Sequence, residues 1–155
     1  MSSDYVAASS GSFRYLFNYI SKGNQTSTPI AMTAPVIAST EGALNSNQWR
    51  ISFVMPAGSS VKDLPVPRDS SVVLVEKKEE ICAVISFRGR ATIELSAKNE
   101  RELRQFAQDQ NYTLSEEVRI CRFDPPFKPG FLHYNEIVIP VIDIATPSSP
   151  DSVGR

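Results

Sequence analysis

Between residues 9 and 21 the apolar side chains return at helical spacing. Phe13, Leu16, Phe17 and Ile20 stand at i, i+3, i+4 and i+7, one continuous stripe that predicts an amphipathic helix. Tyr15 and Tyr19 lie four apart on a flanking face. Lys22-Gly23-Asn24 closes the helix, with Gly23 expected to supply a left-handed residue. Farther on the period changes to two. Trp49, Ile51, Phe53 and Met55 alternate with Arg50 and Ser52, the pattern of a half-buried strand. Residues 29–38 read as extended, because Pro29 and Pro35 forbid a helix interior and Pro35 marks an edge or bulge.

Residues 56–71 hold three prolines and four serines and predict a long irregular connection. Residues 72–76 and 80–87 predict two strands about the charged turn Lys77-Lys78-Glu79. A second helix is expected over 94–110, capped by Thr92 or Ser96, with Glu94/Lys98 and Glu100/Arg104 in the favourable i,i+4 order. Its buried stripe reads as Leu103, Phe106 and Ala107. Residues 118–123 and 135–142 predict the last two strands, and 146–155 a polar, disordered tail. The pattern as a whole is α+β, a single domain over residues 1–145.

Bulk composition narrows the field. The chain has 155 residues, 41% apolar and 21% charged, with a formal net charge of −1. A general nucleic-acid binder carries a basic excess instead. Apolar runs are short, such as residues 72–75, against the roughly 20 residues of a membrane span. The first residues have neither a basic n-region nor an apolar stretch, and no arginine precedes Arg14, so neither a secretory signal nor a transit peptide is expected. Asn24-Gln25-Thr26 and Asn111-Tyr112-Thr113 are then chance sequons. Cys82 and Cys121 sit in apolar, strand-like runs and read as two reduced, buried thiols.

Catalytic motifs do not occur. The sequence contains no Gly-x-Ser-x-Gly, no Walker loop, no Gly-x-Gly-x-x-Gly and no His-Glu-x-x-His. His133 is the only histidine and lies in a proline- and glycine-containing loop, where a solvated side chain is the plain reading rather than a metal ligand. Met32 and Met55 alternate with strand neighbours and read as packing residues. Glu94, Glu100 and Glu102 share a helix with basic partners, a solvated face.

Several stretches resemble the SOUL/haem-binding protein family. They are Phe13-Arg14-Tyr15-Leu16-Phe17-Asn18-Tyr19-Ile20-Ser21-Lys22-Gly23-Asn24; Met32-Thr33-Ala34-Pro35-Val36, close to the family's Met-Thr-x-Pro-Val; and Trp49-Arg50-Ile51-Ser52-Phe53-Val54-Met55-Pro56. Leu64-Pro65-Val66-Pro67 and Phe123-Asp124-Pro125-Pro126-Phe127 with Asn135-Glu136 complete the set in family order. Plant and algal members look nearest, through Asn47-Gln48-Trp49-Arg50. The resemblance implies a distorted, mostly antiparallel β-barrel flanked by two helices and built as a pseudo-repeat. It also implies strands before the first helix, whereas about eight residues precede it here, so an incomplete first half is expected.

Function follows from that resemblance as an expectation: non-catalytic binding of haem or a related tetrapyrrole for buffering, transport or signalling. Binding is expected to be reversible and to use no protein axial ligand. An interaction module of the same fold that has lost tetrapyrrole binding is the alternative. A porphyrin is an apolar plate with carboxylates at one edge, and needs apolar area with a cation at the rim. The first helix offers Phe13, Leu16, Phe17 and Ile20 beside Arg14, which are the expected cofactor-binding residues, although the same stripe equally describes packing against a core. A soluble cytoplasmic protein is expected, or alternatively a chloroplast-associated one. Missing opening strands leave an unpaired sheet edge, so a homodimer is expected, against a monomer in which Tyr5 and Val6 cover the gap as a short strand.

Overall fold

A computed structural model describes residues 3–44 and 46–145, with side chains from residue 10 onward. In chain order the elements are helix α1 (Ser3–Ser21), strands β1 (Val36–Glu41), β2 (Arg50–Phe53) and β3 (Cys82–Arg88), helix α2 (Ile93–Asp109), and strands β4 (Tyr112–Leu114), β5 (Glu117–Arg122) and β6 (Tyr134–Ile144). A 3₁₀ turn, Gly130–Leu132, precedes β6. All pairings are antiparallel, in the order β2-β1-β5-β6-β3, and β4 pairs with the far end of β6.

Register explains the core. Ile51 faces Ala38, Ala38 faces Ile120, Ile120 faces Ile137 and Ile137 faces Ile85, so one apolar row crosses five strands. Alternation puts this row on one face of the sheet. Ala38, Ile120 and Ile137 are fully buried there, and Leu103 of α2 and Leu16 of α1 close over the row. A truncation such as Ile137→Ala would cost about 2–5 kcal/mol in such a setting. The opposite face is more polar. Arg119 donates to both carboxylate oxygens of Glu117 at 2.9 and 3.0 Å and pairs with Glu80.

Asn24 ties α1 to the rest. Its side chain is fully buried, donates to the carbonyls of Tyr19 and Thr28 at 3.1 and 2.7 Å, and accepts from Thr28 N at 3.0 Å. It also forms an isolated bridge with Pro67, beside which Gln25 N donates to Val66 O. Gly23 does not take the left-handed conformation expected of it. It is needed for space, because a Cβ there would lie 2.6–2.9 Å from Asn18 atoms.

Other expectations are corrected too. The sheet is open rather than a closed barrel: among the described residues β2 and β3 each pair with one neighbour. Residues 72–76 form no strand. Val72 is buried, but Val73 and Val75 are 72% and 69% exposed, so the run lacks the second partner that would make alternation useful. Helix α1 begins at Ser3, so Tyr5 and Val6 are helical and not a strand. In α2 the buried face is Ser96, Asn99, Leu103 and Ala107, with Thr92 capping Leu95 N, and Phe106 turned outward. Pairing of Glu100 with Arg104 holds at 2.8 Å. The expected tail, residues 146–155, lies outside the described residues.

Candidate functional site

Helix α1 presents two different flanks. Tyr19 and Ile20 are buried, and with Val72 they form a small second core. Tyr15 stands at one margin of that buried face and Phe13 and Phe17 at the other, with Ser12 and Leu16 between. The angular step of the helix separates the two margins.

The first flank borders a cleft of about 650 Å³, within the range of small-molecule sites. Leu16, Trp49, Ile51 and Val72 give it apolar wall. Its polar groups are Thr40 and Glu41 from β1, Arg50 from β2 and Glu117 from β5. Register sets Glu41 opposite Glu117 and Ser39 opposite Arg50 on one face of the sheet, while Thr40, opposite Val118, belongs to the other. Hydrogen bonding from Arg119 holds the Glu117 carboxyl below its ordinary value, so it stays ionised. Thr40 is 4% exposed, and its Oγ1 has no hydrogen-bond partner among the described residues. Such a group is unusual in a folded chain and lines the cleft.

The second flank is aromatic. Phe13 and Phe17 stack with centroids 6.0 Å apart, and Phe13 meets Phe53 edge-on at 5.1 Å. Phe17 remains 49% exposed. Of the expected binding residues, then, Leu16 lines the cleft, Ile20 is buried beneath it, Phe13 and Phe17 occupy the opposite flank, and Arg14 is exposed. Trp49, Arg50 and Thr40 were not picked out as site residues from the sequence. Trp49 alone carried a signal, as the single tryptophan of the chain.

His133 is placed away from the cleft, with Nε2 2.8 Å from the Lys128 carbonyl. Both cysteines are free thiols. Burial pushes Cys121 up to about 12 and raises Cys82 as well, which leaves both poor thiolates. Among the described residues no group of three or more His, Cys, Asp or Glu stands together as a metal site, and no helix is long and apolar enough to cross a membrane.

A family model described as SOUL heme-binding protein matches residues 1–140. No curated protein matches the chain.

Proposed function

The chain belongs to the SOUL heme-binding protein family, and from that premise we propose that it binds haem or a related tetrapyrrole, without catalysis, in the cleft beside α1. The observation that carries this reading is the cleft itself: a concave site against Leu16 and Trp49, with Arg50 on its lining and the buried Thr40 hydroxyl unpartnered. The plate would lie between Leu16 and Trp49, and Arg50 would meet a carboxylate of its edge. Ile20 holds the helix down from below. Among the described residues no histidine, cysteine or methionine lines the cleft, and the reading assigns the iron no axial ligand of those types. Reversible capture suits buffering, transport or signalling.

A second placement has its own support. The stacked Phe13–Phe17 pair, half open to solvent beside Arg14, is the other surface of α1 that suits an aromatic plate.

Two substitutions separate the placements. Tyr15 and Phe17 are each 49% exposed, so Tyr15→Asp and Phe17→Asp should be similarly tolerated by the fold. Hemin titration of both, followed at the Soret band with circular dichroism as the control for folding, gives the answer. The cleft requires a loss of at least about tenfold, or 1.4 kcal/mol, for Tyr15→Asp and little change for Phe17→Asp. The reverse result moves the ligand to the aromatic flank. A parent protein that shows no saturable shift overturns tetrapyrrole binding and leaves the interaction module. Self-association belongs to the same proposal, with the outer edge of β3 as the surface that a second copy would pair. A monomeric mass by light scattering at high micromolar concentration rejects it.

A further inference from the structure

The connection between β5 and β6, residues 123–133, turns large apolar side chains outward. Phe127 is 88% exposed and Phe131 75%, the two highest values among the large apolar residues described, and Leu132 adds 43%. Loose loops often expose such groups, but this one is braced. Asp124 accepts from Tyr134 N and from Lys128 Nζ, both at 2.6 Å. Lys128 N donates to Pro125 O at 3.1 Å and Leu132 N to Pro129 O at 2.9 Å. Pro125, Pro126 and Pro129 fix their own φ angles. Exposure here is therefore a property of an ordered tip.

Cations surround it. Arg88 donates to the Leu132 carbonyl at 3.1 Å and lies over the Tyr134 ring. Arg90 packs so closely on Gly130 that a Cβ there would collide with it. Lys128 is the third. Asp124 is the one carboxylate in residues 123–133. A projecting tip of two phenylalanines and a leucine, ringed by arginine and lysine, has the composition of an interfacial anchor: rings enter the headgroup–acyl boundary while cations meet lipid phosphates. A folded protein partner would have to supply a pocket for each ring, whereas a bilayer yields to a convex tip. Because the loop is already braced, little ordering is lost on insertion.

We propose that residues 123–133 dock this protein on an anionic membrane surface, with Phe127, Phe131 and Leu132 as the wedge and Arg88 and Arg90 as the phosphate contacts, while Lys128 stays paired with Asp124. The tip follows Arg122 at one end of β5, and the cleft takes Glu117 at the other, a separation along the strand of about 17 Å. Docking thus leaves the cleft free, and the proposal does not depend on what the cleft binds.

The test is co-sedimentation of the full chain with vesicles of phosphatidylcholine alone and of phosphatidylcholine mixed with phosphatidylglycerol. Parent protein should pellet with the mixed vesicles and remain in solution with the neutral ones. Phe127→Ser combined with Phe131→Ser should weaken binding at least about tenfold, and Arg90→Gln should weaken it less and mainly at low salt. Both phenylalanines are exposed, so the double variant should keep the parent's melting temperature and its hemin titration. Failure of the parent to bind either vesicle overturns the proposal, as does a double variant that binds like the parent.

Discussion

Thr40→Val separates what the cleft needs from what the fold needs. The Thr40 side chain is buried on β1, and its hydroxyl has no partner among the described residues. A buried hydroxyl left unsatisfied costs about 1–3 kcal/mol, whereas a methyl group of similar shape costs nothing in hydrogen bonding. Valine should therefore stabilise the ligand-free protein by about 1 kcal/mol. For a chain of this size that corresponds to a rise of roughly 2–4 °C in Tm. If the hydroxyl serves the ligand, the same substitution removes one hydrogen bond from the complex, and affinity should fall about threefold to tenfold.

Opposite signs are the useful feature. A residue that only packs would change both quantities in the same direction or leave binding untouched. Urea melts of ligand-free protein and parallel titrations with hemin and with a metal-free porphyrin measure the two effects. A variant destabilised by more than about 1 kcal/mol would mean that the hydroxyl already has a structural partner. Unchanged affinity for both ligands would remove Thr40 from the site. Either outcome refutes the reasoning.

Two further outcomes follow from the scaffold. Asn24→Ala should lower stability by about 1–3 kcal/mol, because it strands the buried Tyr19 carbonyl and removes the bonds that hold the exposed Thr28 backbone to the loop; a loss well under about 1 kcal/mol in urea would show that those groups find other partners. Arg119→Met should act through pH. Glu80 and Glu117 are both held below the usual carboxylate range by hydrogen bonds from Arg119, so their stabilisation is present above about pH 4.3 and lost as pH falls through their folded-state values. The urea midpoints of variant and parent should differ at neutral pH and converge in acid, and a gap that persists unchanged in acid would count against the pairing.

Helices were the most legible part of the chain, since a helix states its buried face within a few consecutive turns. Leu103 and Ala107 of α2 were read correctly as inward. Phe106 was not, because hydrophobicity marks which residues gain from burial and not which ones a neighbouring surface reaches. Phe106 follows Leu103 at i+3 and still turns to solvent at 55% exposure. Strands were harder for a related reason. Residues 49–53 and 72–76 have similar apolar content, yet only the first pairs, with β1. Alternation becomes a strand when another edge is available to complete its hydrogen bonds, and that edge is set by residues far away in sequence.

The cleft magnifies this difficulty. Its lining draws on α1, β1, β2, β5 and the chain near Val72, and no two of those stretches are joined by a local signal. What the sequence could offer was the single face of α1 that a resemblance pointed to, and Leu16 is where that face and the cleft meet. Thr40 illustrates the remainder. Written in the chain it is a β-branched residue in an extended run, as strand-compatible as any. Only when Glu41 is set opposite Glu117 and Ser39 opposite Arg50 does its hydroxyl become a buried group without a partner. A site of this kind is a property of register. A shift of one residue between β1 and β5 would keep every strand and turn Thr40 to the opposite face, and the cleft would lose its one buried, unsatisfied donor.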